Sequence, residues 1–173
     1  MWSNAKIKLI VRTKEMSLYS FVIDNNIKTE FERFKEYGNS LSNPTLKNEF
    51  YKIMQLLREM LNKTGALERL FRNEGKMKDH TCAVLTYYTG KKRDAIRLYC
   101  LRFSDNILLV GNGGIKPKGI TTYQEDERLN ACVEDLQLLD KKIFEAGFAG
   151  VGGIQIINEI PIGIEGAEFS IDK

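Results

Sequence analysis

Apolar and polar positions alternate from the start of the chain. Ala5-Lys6-Ile7-Lys8-Leu9-Ile10-Val11-Arg12 and Leu18-Tyr19-Ser20-Phe21-Val22-Ile23 predict two strands, and Thr13-Lys14-Glu15-Met16 predicts the turn that joins them as a hairpin. The period then lengthens. Thr29-x-x-Glu32 has capping-box spacing and predicts a short helix with Phe31 and Phe34 on one side, ended by Gly38-Asn39-Ser40. Asn43 as cap and Pro44 in the first helical turn open a longer helix, in which Leu46, Phe50, Ile53, Leu57 and Met60 form one stripe. Gly65 ends it, and the stripe reads as core.

Period two then returns. Leu70-Phe71-Arg72, Thr81 to Tyr88, Ala95 to Phe103 and Ile107-Leu108-Leu109-Val110 predict strands, separated by a polar loop from Asn73 to His80, a turn at Thr89-Gly90-Lys91-Lys92 and a tight connection at Ser104-Asp105-Asn106. The uninterrupted apolar run at 107–110 predicts a central strand covered on both faces. A second capping box, Thr122-x-x-Glu125, opens a helix carrying Leu129, Val133, Leu136, Leu139 and Ile143 on one face and ending at Gly147. The order predicts an α+β domain over 1–173: an antiparallel sheet with two N-terminal helices and one C-terminal helix, packed on one face, plus an extra N-terminal strand and a tail from 147 to 173. Ile154-Gln155-Ile156-Ile157 in that Gly-rich tail is expected either to cover a sheet edge or to pair with a second copy of the chain.

Composition narrows the class without naming a function. The chain has 173 residues, 43% hydrophobic and 28% charged, which excludes wholesale disorder, collagen-like repeats and a disulfide miniprotein. No apolar run reaches the roughly 18 residues of a membrane span, and the first residues lack the pattern of a secretory signal, so a cytoplasmic protein with no membrane partner is expected. Cys82, Cys100 and Cys132 have no CxxC spacing, and His80 is the single histidine. No metal and no cofactor is therefore expected.

Charge is unevenly placed. Residues 76–120 hold nine Lys and Arg against three Asp and Glu, whereas residues 121–173 hold four against eleven. A basic middle segment can attract a polyanion by releasing its counterions, or it can simply be a solvated surface. Within it, Val110-Gly111-Asn112-Gly113-Gly114-Ile115-Lys116-Pro117-Lys118 has the glycines and lysines of a phosphate loop, but neither the dinucleotide nor the Walker spacing. Glycines bending the chain at the end of a buried strand are the plainer account. Alternation places Arg97 and Tyr99 on one strand face, and Cys100 and Arg102 on the other. With Leu98 and Cys100 toward the core, Arg97 and Tyr99 are expected on a solvated side. Arg72 from a preceding strand and Lys116 and Lys118 after the next would join them on an RNA-binding sheet face. Tyr99, Arg102, Lys118 and the turn residues Lys91 and Lys92 are the expected RNA contacts.

Leu70-Phe71-Arg72, Ala95-Ile96-Arg97-Leu98-Tyr99 and the run from Ile107 to Lys118, followed by an amphipathic helix and preceded by two others, resemble the RelE/HigB-like toxin superfamily over roughly residues 18–146. The resemblance implies a longer offshoot of that family. It implies a ribosome-dependent endoribonuclease that cuts mRNA without a metal, inhibits translation and is held by a cognate antitoxin. Arg97, Lys116 and Arg72 then match the family's catalytic positions: the ribose 2′-OH attacks the adjacent phosphate while Arg97 and the lysines stabilise the developing charge. The family's C-terminal Tyr or His has no counterpart after residue 123, which leaves Tyr99 or Tyr123 as substitutes. A non-catalytic interaction module of the same fold, inactive or gyrase-poison-like, is the alternative.

Overall fold

The computed structural model describes residues 1–73, 77, 79–86 and 90–171. The opening hairpin is formed by β1 (Asn4–Arg12) and β2 (Ser17–Ile23), paired antiparallel from Ala5 opposite Ile23 to Arg12 opposite Ser17. Two helices follow, α1 (Glu30–Ser40) and α2 (Pro44–Glu59). Thr29 and Glu32 form the expected reciprocal capping box, and the Asn43 carboxamide oxygen accepts from the amides of Thr45 and Leu46 at the start of α2. A π-helical turn, Met60–Thr64, extends α2 until Gly65 reverses the chain at φ +72. Next come β3 (Phe71–Arg72), β4 (Thr81–Val84), β5 (Ala95–Ser104), β6 (Ile107–Lys116) and α3 (Glu127–Ala149). The tail forms β7 (Gln155–Ile157), β8 (Ile160–Ile162) and β9 (Glu168–Ser170).

Seven strands form one mostly antiparallel sheet in the order β3-β4-β5-β6-β2-β1-β9. The join between β6 and β2 is parallel, with Ser17, Leu18 and Tyr19 opposite Ile107, Leu108 and Leu109. Beyond Tyr19 a side chain replaces the ladder: the Ser20 hydroxyl donates to the Val110 carbonyl at 2.7 Å and accepts from the Phe31 amide at 3.1 Å. This seats the first turn of α1 against the outer half of β6, where Asn112 Nδ2 donates to Glu30 Oε2 at 3.1 Å.

Helices cover both faces of the sheet, not one. Phe31, Phe34, Phe50, Ile53 and Leu57 of α1 and α2 bury Ile96, Leu98, Cys100, Leu108 and Val110 on one side. Leu129, Val133, Leu136, Leu139 and Ile143 of α3, with Trp2, Ile154 and Ile164, bury Tyr99, Leu101 and Leu109 on the other. The sequence expectation failed because β5 is apolar on both faces, and a sheet apolar on both sides requires a layer on each.

Other boundaries also move. The apolar strand does not end at Val110 but runs on as β6 to Lys116, so the glycine segment is strand and not a phosphate loop. The capping box at Thr122 and Glu125 closes a single 3-10 turn, while Asp126 caps α3 through the Leu129 amide. Gly147 lies inside α3, where Ile154 and Ile156 pack so closely that a Cβ would meet Ile156 Cδ1 at 2.5 Å, and Gly150 in the left-handed region ends the helix. The strand expected over 81–88 is β4 as far as Val84, and its last residues, Tyr87 and Tyr88, fall outside the described residues. In the tail, β7 and β8 form a separate two-stranded hairpin, and β9 pairs with β1 at the edge of the main sheet.

Candidate nucleic-acid interface

Register on the sheet decides which of the expected residues meet. Arg72 is opposite Ala83, and Ala83 is opposite Tyr99, so these three form one row across β3, β4 and β5. Arg97 is opposite Gly114, and Lys116 is opposite Ala95. Arg97, Tyr99 and Lys116 thus share the face of the sheet that α3 covers. That face is not solvated. Arg97 and Tyr99 are both 0% exposed and Lys116 is 3% exposed. Arg97 Nη1 donates to Thr86 Oγ1 at 3.2 Å and to the Ile96 carbonyl at 3.0 Å. Lys116 Nζ donates to the Thr121 carbonyl at 2.8 Å. Tyr99 packs edge-on against Tyr123, with ring centres 6.1 Å apart. Burial pushes the Tyr123 phenol above its ordinary pKa, which makes it a poor base near neutrality.

Three other expected contacts do come together at the surface. Lys91 and Lys92 in the β4–β5 connection and Lys118 just beyond β6 are all exposed. Their two turns are tied through the backbone: the Gly119 amide donates to the Lys91 carbonyl at 2.9 Å, and the Lys118 amide donates to Asp94 Oδ1 at 2.7 Å. The result is a lysine rim at one end of the β5–β6 ribbon. Two anchors hold it. Glu49 of α2, 6% exposed, accepts from Arg93 Nη2 at 2.7 Å and from the Ile96 amide at 3.2 Å. Glu125 Oε2 accepts from the amides of Thr121 and Thr122, and those bonds, with smaller help from Lys91 and Lys116, hold its carboxyl below the usual range.

Arg102 is not part of this surface. It lies opposite Leu108, toward the other end of β5 and on the α2 side, with Nε donating to the Ala66 carbonyl at 2.7 Å and Nη2 paired with Asp105. Arg93, Asp94 and Glu125 belong to the rim; the sequence pattern marks Glu125 only as a capping residue and does not mark Arg93 or Asp94. Arg93 and Asp94 extend the run Gly90-Lys91-Lys92, and an acid closing a basic turn is the available signal for a backbone tie.

His80 lies away from the rim, beside β4's first residue. Its Nδ1 is 2.9 Å from Asp140 Oδ1, and its ring stacks on Phe144 at 4.8 Å. The bond to Asp140, opposed in part by burial, raises the imidazole pKa. A histidine whose folded pKa is above its unfolded value contributes stability that is fully present below about pH 6.5 and is lost as pH rises through the folded pKa. The urea midpoint is therefore expected to fall as pH is raised from the slightly acid to the slightly alkaline range, and to fall less in His80→Gln. Equal pH dependence in the two proteins would remove His80 from the account.

Cys82 and Cys100 are buried and face each other, Cys132 is half-buried, and all three are free. Among the described residues no cluster of His, Cys, Asp and Glu suited to a metal ion is found, and no helix is long and apolar enough to cross a membrane. No protein-family model, curated protein or solved structure matches the chain.

Proposed function

We propose that the protein is a RelE/HigB-like, translation-inhibiting protein that engages the phosphate backbone of mRNA through Lys91, Lys92 and Lys118. The observation that carries this reading is the backbone tie that brings the exposed Lys118, from a separate turn, to the same rim as the neighbouring exposed Lys91 and Lys92. Lysine ammonium groups on a fixed surface neutralise neighbouring phosphates and release their counterions. Arg97 and Lys116, buried beneath the rim, then act by holding the ends of β5 and β6 in place. A cognate antitoxin is the expected protein partner.

Cleavage is the second reading. It is favoured by the row Arg72, Ala83, Tyr99 and by the common face of Tyr99, Arg97 and Lys116. In that chemistry the 2′-oxygen, losing its proton, bonds to the adjacent phosphorus as the 5′-oxygen of the next nucleotide leaves and takes a proton. Cations stabilise the phosphoryl oxygens in between.

A reporter mRNA in a cell-free translation system, mapped by primer extension, tests both readings. The wild-type protein is expected to block translation, and Lys91→Ala/Lys92→Ala/Lys118→Ala is expected to lose the block by about tenfold or more. If each lysine covers one phosphate of a single strand, log affinity falls against log salt with a slope of about −2. Cuts that need ribosomes and vanish in an Arg97→Ala protein whose circular dichroism and urea midpoint show it folded would establish the nuclease. A block without cuts supports binding alone. Normal translation together with no measurable RNA binding would overturn the proposal.

A further inference from the structure

We infer that Asp94 is a positioning residue for RNA at the lysine rim, an inference that rests on the RNA-binding reading above. The rim is built from two turns that approach from different strands. One carries Lys91 and Lys92 and leads into β5, and the other carries Lys118 and leaves β6. Asp94 Oδ1 receives the Lys118 amide at 2.7 Å, and the Lys91 carbonyl receives the Gly119 amide at 2.9 Å. The first turn is fixed to the body of the protein by Arg93, which donates to the Asp94 carbonyl at 2.9 Å and to Glu49 at 2.7 Å. The second is fixed beyond Lys118 by Lys116 Nζ on the Thr121 carbonyl at 2.8 Å. Gly119, at φ +94 with open space around it, lets the second turn close onto the first.

An aspartate amid these lysines is electrostatically misplaced for a polyanion site. A carboxylate beside phosphates repels them, and net charge alone would favour its removal. Its placement makes sense when the carboxylate is directed at a backbone amide and sets the spacing between lysines. A single-stranded RNA backbone presents phosphates at a nearly constant interval, so lysines held at a fixed separation lose less freedom on binding than lysines on two independent turns. The ligand class is a run of consecutive phosphates, not a single phosphate group.

The two roles predict opposite signs. If Asp94 is only a charge, Asp94→Ala binds a labelled single-stranded oligoribonucleotide more tightly than wild type. If it positions the rim, Asp94→Ala binds about five times more weakly, on the scale of one lost charge-assisted hydrogen bond. Asp94→Asn keeps an oxygen for the Lys118 amide and removes the charge, so it is expected to bind at least as tightly as wild type. Trypsin supplies a readout independent of RNA: cleavage after Lys91, Lys92 or Lys118 in the native protein is expected to quicken in Asp94→Ala and not in Asp94→Asn. Affinity in Asp94→Ala equal to or above wild type overturns the positioning role. Unchanged tryptic cleavage in Asp94→Ala overturns the tie itself, whatever the RNA result. Wild-type protein that fails to bind the oligoribonucleotide, with cleavage behaving as expected, leaves the tie standing and overturns both the RNA-binding reading and the role given to Asp94 in it.

Discussion

Gly113→Ala is expected to prevent stable folding, although it adds one methyl group. A Cβ at Gly113 would lie 1.9 Å from the Arg97 carbonyl oxygen, 2.8 Å from the Arg97 carbonyl carbon and 3.0 Å from Leu98 Cα. All three atoms are backbone of the neighbouring central strand, so no rotamer change relieves the overlap. The clash sits where β6 has an irregularity: Leu98 is opposite Gly113 and Cys100 is opposite Val110, so Tyr99 faces the pair Gly111 and Asn112. Strands β5 and β6 must separate locally or the bulge must move, and either change disturbs the helices packed on both faces. The cost is expected to exceed the roughly 1–3 kcal/mol of ordinary overpacking. Gly114→Ala is the internal control. Its Cβ would meet Arg128 Nε at 2.9 Å, at the end of a flexible side chain, and should cost far less. Urea unfolding followed by circular dichroism, or solubility on expression if Gly113→Ala does not fold, compares the two. Equal stability of both variants would show that β6 is not packed on β5 as described.

Glu49→Ala is the second large effect, expected to cost about 2 kcal/mol, chiefly because the buried Ile96 amide loses its acceptor; the Arg93 side chain is 39% exposed, so its ion pair adds less. One oxygen of Glu49 meets Arg93 at 2.7 Å and the other meets the Ile96 amide at 3.2 Å, with the side chain 7% exposed. Alanine removes the acceptor of a buried amide on β5 and releases the guanidinium that anchors the lysine turn. For a chain of this length, that loss corresponds to a melting temperature lower by about 4–8 °C. Glu49→Gln keeps one acceptor oxygen and is expected to recover part of the loss. RNA affinity should also fall in Glu49→Ala under conditions where the protein remains folded, because α2 no longer fixes the rim. A melting temperature within about 2 °C of wild type would remove Glu49 from both roles.

Much of the fold was legible locally. The hairpin of β1 and β2, the capping box at Thr29, the Asn43 cap, the stripe from Leu46 to Met60 and the apolar face of α3 depend on residues within a few positions of one another. Their periodicity and caps carry the physics. The lysines of the rim were also legible as candidates, since a basic turn and a basic strand end declare themselves by composition. Their meeting was not, because it depends on β5 and β6 pairing in one register.

Burial was the main thing the sequence left undetermined. Alternation correctly separated Arg97 and Tyr99 from Leu98 and Cys100, but it could not say that α3 would close over the first pair. Exposure is set by which layer packs on a face, and that layer comes from residues 127–149. The same limit applies to Arg102, a basic residue of β5 whose guanidinium is held by the distant Ala66 carbonyl and the nearby Asp105. It applies to Gly113 as well, whose need for a missing side chain comes from the backbone across the ladder. The sequence by itself determined an α+β chain, its helix caps and its excess of positive charge in the middle segment. Only the tertiary structure decided which cations face water and which are enclosed, because burial and register arise from contacts between residues far apart in the chain.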